Sequence, residues 1–306
     1  AVSLPATLLS LMRALEIVSI GGYMALYQRE MAAGFANWHS VLSQLFLPGV
    51  LITFAMHHKS YRWIIVCWIM VLGYIVANMI IGDRGPAVSA LVTMVMLHHV
   101  VVKKIPPILL MIVGLGTFAL LPVIAHIRCA AFDNRADFID NMVTDHLYVM
   151  AIREMGGSAK TIAFTTELIP QERDYDYGLS YWHAALTTFP NLFWERHPAM
   201  ERGQYSHWLV WTVAPKIAAN GGGLGFSVLA EAYANFSIYG PSIVMAIIGF
   251  AVSAVVSWSR NTRSPFAMAM EVVLLSVILI LPRAEMFRIC RSLVWLVVFP
   301  YLITTF

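Results

Sequence analysis

Apolar residues fill most of the chain in long runs that short polar turns separate. A helix that crosses a bilayer needs about 20 largely apolar residues. The runs therefore predict an all-α polytopic membrane protein with about eight transmembrane helices in a single integral membrane domain, residues 1–306. The predicted spans are residues 4–27, 40–57, 63–81, 86–102, 105–125, 238–257, 265–281 and 289–306.

Residues 126–236 are the only long stretch too polar to lie in lipid. Eleven of the 17 acidic residues of the chain fall between Asp133 and Glu201. This composition predicts one long structured loop outside the membrane, held over the helix bundle.

Basic residues predict the orientation, because cytoplasmic turns carry an excess of Lys and Arg. Three alternate turns carry such pairs: Lys59 with Arg62, Lys103 with Lys104, and Arg260 with Arg263. With these turns in the cytoplasm, the long loop is extracytoplasmic. Arg84 and Arg283 then lie on the same side of the membrane as the loop.

Composition narrows the function further. Hydrophobic residues make up 59% of the chain and charged residues 12%, as expected of a membrane protein. The net charge of +3 is small and its basic residues are scattered, which does not indicate nucleic-acid binding. Phosphate-loop, dinucleotide, zinc-protease and cysteine-rich metal motifs are absent from the sequence, so it predicts neither a cofactor nor a metal.

Arginines near predicted helix ends are the strongest candidates for binding an anion. Arg84 lies in a Gly-Asp-Arg-Gly-Pro turn before a helix, where guanidinium and backbone N–H groups could hold phosphate. The alternative is a local charge pair with Asp83. Arg283, Arg288 and Arg291 surround the turn into the last span with Glu285 as the nearby acid, which leaves positive charge for an anionic ligand or for snorkelling to the interface.

Two residues are candidate bases, and both assignments leave alternatives open. Glu231, near the start of the sixth predicted helix, could act as a base, orient a sugar hydroxyl or cap the helix. His207 is one of several loop histidines with suitable chemistry.

Aromatic rings beside carboxylates and amides in the loop suit carbohydrate, since apolar sugar faces stack on rings. Tyr177, Tyr181 and Trp194 are the candidate glycan-binding residues. The alternative is that these rings mark the membrane interface.

Taken together, these motifs resemble the Wzy-type O-antigen and exopolysaccharide repeat-unit polymerases. The resemblance covers roughly residues 80–291 and includes the arginine cluster before the last span. Its motifs are Gly82–Pro86, Ile169–Pro170, Tyr177–Tyr181, Phe189–Pro198, Gly223–Ser227, Glu231–Tyr233 and Asn235–Phe236. Ser237 departs from the pattern, which usually has glycine after the last of these.

This resemblance implies a GT-C-like membrane glycosyltransferase of the bacterial inner membrane. Such enzymes transfer a growing glycan from undecaprenyl diphosphate to another lipid-linked repeat unit at the extracytoplasmic face. The implied partners are undecaprenyl-diphosphate-linked oligosaccharides, the lipid bilayer and a chain-length regulator protein. The implied diphosphate ligands are Arg84, Arg283, Arg288 and Arg291, with Glu231 or His207 as the base.

Two other functions remain open at this point. An O-antigen ligase-like transferase would use the same donor with a different acceptor. A lipid-linked oligosaccharide flippase or transporter would show internal repeats with broken helices, and the sequence shows neither.

Overall fold

A computed structural model describes residues 3–21, 26, 38–116, 156–189, 203–219 and 221–305. Helices and turns make up these ranges, without a strand, which confirms the all-α prediction. Trp194 and residues 126–155 of the predicted loop lie outside the described ranges.

The described helices are numbered here in chain order. The first six are α1 (Ser3–Gly21), α2 (Trp38–Gln44), α3 (Phe46–Met56), α4 (Tyr61–Ile81), α5 (Arg84–Val101) and α6 (Pro107–Gly116). In the predicted loop they are α7 (Gly157–Leu168), α8 (Leu179–Leu186), α9 (Tyr205–Val213), α10 (Pro215–Ala219) and α11 (Val228–Phe236). The last four are α12 (Gly240–Thr262), α13 (Pro265–Ile278), α14 (Met286–Leu293) and α15 (Phe299–Thr305), with a π-helical turn at Val294–Val298.

Four helical segments are long and apolar enough to cross a bilayer, so the chain is a multi-pass membrane protein. They are Ser3–Gly21, Tyr61–Ile81, Val228–Thr262 and Pro265–Arg283, and they overlap the first, third, sixth and seventh predicted spans. The second, fourth and fifth predictions coincide with the shorter apolar helices α3, α5 and α6. The eighth falls on α14, the π-helical turn and α15. The count of eight, the loop topology and the GT-C likeness stay predictions.

The bundle core lies where α3, α4, α5 and α13 meet. Fully buried side chains from each helix form one apolar cluster there: Leu51, Phe54, Val71, Met94 and Val273. Close van der Waals packing of such side chains stabilises the bundle, because lipid tails are as apolar as the side chains and do not themselves drive helices together. In contrast, α12 leaves Ile243, Ile247 and Phe250 exposed, so these side chains are free to face lipid.

Helix α11 connects the bundle to the segment predicted as the loop. Its Ala230 and Ala234 pack into a cluster with Ile169, Tyr205 and Phe226 from that segment. Other α11 side chains, Val228 and Ala232, belong to a cluster that also includes residues of α12 and α14. Helix α11 therefore fixes the predicted loop against the membrane-spanning helices.

A tight junction joins α11 to α12. Ser237 has φ 55° and ψ −152°, a backbone conformation that glycine adopts far more readily than other residues. Three residues later, a Cβ on Gly240 would lie 2.0 Å from the carbonyl oxygen of Ala232. The junction thus requires glycine at 240 and explains why a glycine would suit position 237.

We predict that Gly240→Ala destabilises the protein. The added methyl group would collide with the backbone of α11, and overpacking of this kind typically costs about 1–3 kcal/mol or more. Thermal unfolding in nanodiscs should show a clear fall in Tm and a lower yield.

Gly249→Ala is the matched control on the same helix. A Cβ there has no heavy atom within 4 Å among the described residues. Its Tm should stay equal or rise slightly, since alanine favours helix by about 1 kcal/mol. Equal Tm values for the two variants would contradict the described junction.

Candidate functional site

Arg283 lies in a short 3₁₀ turn, Leu281–Arg283, between α13 and α14. Its Nη2 atom is 3.8 Å from the position that a Cβ on Gly157 would occupy, and its Nε atom is 3.9 Å from the corresponding position on Gly225. Gly157 is the first residue of α7, and Gly225 (φ 74°) belongs to the glycine-rich segment before α11. The exposed guanidinium is thus placed beside a helix N-terminus and a glycine-rich loop.

This placement concentrates positive potential. The first N–H groups of a helix have no intrahelical acceptor and carry a partial positive charge. A guanidinium beside them adds a full positive charge and several donors. Only an anion complements both groups, so the geometry around Arg283 suits a phosphate or diphosphate.

Glu231 is buried, with 1% of its surface exposed, and connects three helices. Its Oε1 accepts a hydrogen bond of 2.8 Å from the Ser180 hydroxyl of α8. Its Oε2 accepts one of 2.6 Å from the backbone N–H of Met286, the first residue of α14. Glu231 therefore caps α14, whereas Ser227 caps its own helix by accepting from the N–H of Leu229.

Asn235 completes the network around Glu231. Its side-chain amide donates to the Ser180 hydroxyl at 2.7 Å and to the Glu231 carbonyl oxygen at 2.8 Å. Its Oδ1 atom accepts from the N–H of Gly178 at 2.9 Å, just before α8. The buried polar atoms of Ser180, Glu231 and Asn235 are thus satisfied by one another and by the backbone N–H groups of Gly178 and Met286, as buried polar groups require.

Glu285, two residues after Arg283, makes a second connection between distant helices. It is 7% exposed, and its carboxylate accepts from the N–H of Tyr205 at 2.9 Å and from the Ser206 hydroxyl at 2.6 Å. Tyr205 is the first residue of α9, so Glu285 caps that helix from 80 positions away along the chain. Negative charge at a helix N-terminus is stabilising.

The far side of Tyr205 is also anchored. Its hydroxyl donates to the Asp176 carboxylate, which lies 3.6 Å from the Arg173 guanidinium. The same guanidinium stacks 4.6 Å above the Tyr205 ring. Together with Glu285, these contacts hold the start of α9 in one position next to the Arg283 turn.

His207, the second candidate base, is exposed in the first turn of α9. Its Nε2 atom accepts a hydrogen bond of 2.9 Å from the indole N–H of Trp211. A neutral imidazole with Nε2 as acceptor carries its proton on Nδ1. His207 can therefore accept a proton from a substrate only after Trp211 releases Nε2.

The candidate glycan-binding tyrosines have different environments. Tyr177 is 80% exposed and has φ 48°. The Tyr181 ring stacks on Phe236, with ring centroids 5.9 Å apart, and its buried hydroxyl has no hydrogen-bond partner among the described residues. Burial, with a further contribution from the Glu231 carboxylate and the Cys290 thiol, raises the pKa of Tyr181. Trp194 lies outside the described residues.

The other candidate arginines are placed less fully. Arg288 and Arg291 lie on α14, the helix that follows the Arg283 turn, and Arg288 is exposed. Arg84 is the first residue of α5, after Gly82 in the left-handed region, and its side chain is outside the description. The structure thus brings Arg283, Glu231 and the start of α9 together, and leaves the position of the Arg84 guanidinium as a prediction.

A family model for the O-antigen polysaccharide polymerase Wzy matches residues 1–306, the whole chain. The chain belongs to the Wzy O-antigen polymerase family. No curated protein and no solved structure matches it. Membership confirms the resemblance and favours a polymerase over a ligase-like transferase or a transporter.

Three residues of this candidate site were not identified as site residues from the sequence. Ser180 and Asn235 occur in its recognised motifs, and Glu285 is the one acid among the arginines, yet none was assigned a contact. The available signal for Asn235 is that it is a polar residue directly after the alternating alanines of α11.

We predict that Glu285→Ala loosens the start of α9. The change leaves the N–H group of Tyr205 and the Ser206 hydroxyl without their buried acceptor, and hydrogen bonds to a charged group are worth about 1.5–3 kcal/mol each. Hydrogen–deuterium exchange should become much faster across residues 205–208.

Glu172→Ala is the matched control, since Glu172 is an exposed carboxylate in the same part of the fold. It should leave exchange at 205–208 unchanged. Unaltered exchange in Glu285→Ala would show that Glu285 does not hold α9.

Proposed function

We propose that this Wzy polymerase extends a glycan by transferring it from undecaprenyl diphosphate to a second lipid-linked repeat unit at the extracytoplasmic face of the bacterial inner membrane. The observation that carries the proposal is the Arg283 guanidinium beside the N-terminus of α7 and the glycine-rich segment. The glycosidic bond breaks as negative charge develops on the diphosphate. Positive groups already in place stabilise that charge without reorganising during the reaction.

In this proposal Arg283 binds the diphosphate directly. Arg288 and Arg291, on the helix that starts at the same turn, extend the positive surface toward the membrane-facing part of the chain. Arg84 contributes from the start of α5. This helix packs against α13, the helix that leads into the Arg283 turn. The arginines supply the charge that the leaving diphosphate requires, so the proposal includes neither a metal nor a cofactor.

The acceptor hydroxyl loses its proton as the new bond forms, and we propose that His207 accepts this proton. Glu231 fits a different role, because both of its oxygens accept hydrogen bonds inside the protein. We propose that Glu231 is a positioning residue that fixes Met286 and hence the turn that carries Arg283. Such placement can contribute strongly to rate, since small displacements of a reacting group are costly.

Tyr177 is the glycan contact that the geometry supports best, because its ring is exposed. The Tyr181 ring stacks with one face on Phe236, and in this proposal it supports the segment that carries Tyr177. A glycan contact for Trp194 and an interaction with a chain-length regulator remain predictions from the family resemblance.

We predict that Arg283→Ala abolishes long polymer. Removing one group that stabilises developing charge typically lowers turnover by about 10²–10³-fold. Purified protein in proteoliposomes, supplied with an undecaprenyl-diphosphate-linked repeat unit, should leave single units unconverted. Arg283→Lys should recover only part of the activity, since an ammonium cannot donate in a fork.

Arg260→Ala is the control, because Arg260 is an exposed arginine at the opposite end of α12 from Tyr239. It should make polymer of normal length at equal protein abundance. Normal polymer from Arg283→Ala would remove Arg283 from the mechanism, and accumulation of long, untransferred lipid-linked polymer would indicate a ligase.

We further predict opposite effects at His207 and Trp211. His207→Gln should lower turnover by about 10²-fold or more, as expected for loss of a general base. Trp211→Phe should maintain or raise turnover, because it removes the donor that occupies Nε2. Single-turnover kinetics in proteoliposomes measure both, and equal small losses would mean that the pair only packs together.

A further inference from the structure

Helix α8 carries an apolar stripe on the side that faces away from the protein. Leu179 is 49% exposed, Trp182 62% and Phe189, just after the helix, 59%. These three residues are the α8 stripe. The opposite side of the helix is buried through Ser180, Ala184 and Thr187. Helix α8 is short and belongs to a polar loop, yet its largest apolar side chains point outward. Such side chains need an apolar environment to cover them.

Hydrogen bonds show how far α8 reaches along the last apolar segment. The Thr187 hydroxyl is 3.2 Å from the carbonyl oxygen of Phe287, and the carbonyl oxygen of Thr188 accepts from the indole N–H of Trp295 at 3.2 Å. Trp295 is four residues beyond Arg291, or about 6 Å at 1.5 Å per residue. The end of α8 therefore contacts this segment farther toward its C-terminus than the arginines.

The last carbonyl groups of α8 are satisfied without water. The Thr187 hydroxyl donates to the carbonyl oxygen of Ala184 at 2.6 Å, and the Thr188 hydroxyl donates to that of Ala185 at 2.8 Å. With the indole of Trp295 on Thr188, the end of the helix has internal donors. Lipid-exposed backbone requires internal hydrogen bonds of this kind, since hydrocarbon offers none.

Helix α8 also lies against the end of a membrane-spanning helix. Tyr181 of α8 stacks on Phe236 and packs against the cluster that contains Val244 of α12. At the same end of α12, Ile238 and Tyr239 are 72% and 75% exposed, and the exposed apolar residues continue down that helix. Helix α8 therefore adjoins the exposed apolar surface at this end of α12.

We propose that α8 is embedded sideways in the bilayer leaflet at the Gly240 end of α12, with the α8 stripe in contact with lipid acyl chains. Leu179 and Phe189 enter the hydrocarbon, and the amphipathic Trp182 ring lies at its boundary. Because Ser180 on the buried side contacts Glu231, the membrane also sets the height of the network that positions Arg283.

Site-directed fluorescence tests this proposal. The parent protein has Cys129 and Cys290 replaced by Ala, with buried Cys67 retained. Leu179→Cys and Trp182→Cys receive an environment-sensitive NBD label. Each variant is measured in phosphatidylcholine nanodiscs, once without and once with doxyl-labelled lipid. The control is the label on Gln171→Cys, an exposed polar position before α8.

Labels at 179 and 182 should emit at shorter wavelength than the label at 171 and be quenched severalfold more by doxyl lipid. Equal behaviour at the three positions would overturn the proposal. Protection that arises only after addition of a lipid-linked donor would also overturn it and assign the stripe to the substrate's prenyl chain. Shielding from both doxyl lipid and aqueous iodide would overturn it in favour of a protein partner. Thermal unfolding of each labelled variant establishes that it is folded.

Discussion

Two buried carboxylates bonded to the N-termini of distant helices are the interaction on which this structure depends. Glu231 of α11 caps α14, and Glu285, just before α14, caps α9. A carboxylate without partners is very costly to bury, whereas backbone N–H groups at a helix start together with serine hydroxyls compensate much of that cost. The cost of burying each carboxylate returns if any one of its hydrogen-bond partners moves. The two carboxylates therefore hold helices of the bundle and of the predicted loop in a single arrangement.

The turn that carries Arg283 ends just before both of these connections. Glu231 binds the N–H of Met286, three residues after Arg283, and Glu285, two residues after Arg283, connects the same segment to α9. The guanidinium is thereby presented beside the first residue of α7 before any ligand binds. In the proposed reaction a lipid diphosphate is the leaving group, and charge that is already positioned stabilises it without reorganisation. Under the proposed function, the carboxylate network is what positions Arg283 to bind an anion.

Apolar runs in the sequence predicted the helices well, since helix length and hydropathy are local properties. Arg283 and Glu231 could also be selected, because charges near membrane depth are rare and usually paired or functional. Their contacts could not be predicted: Ser180 lies 51 positions from Glu231, and no periodicity encodes such a pair. An aromatic motif has the same appearance whether a ring meets sugar or another side chain, and the structure places Tyr181 against Phe236.

The most direct test of the central claim is a cryo-EM structure of the protein in a nanodisc with bound undecaprenyl diphosphate. The account predicts diphosphate oxygen atoms within hydrogen-bonding distance of the Arg283 guanidinium, beside Gly157 and Gly225, with the Glu231 and Glu285 hydrogen bonds intact. A diphosphate bound elsewhere, with Arg283 directed into the protein, would contradict it.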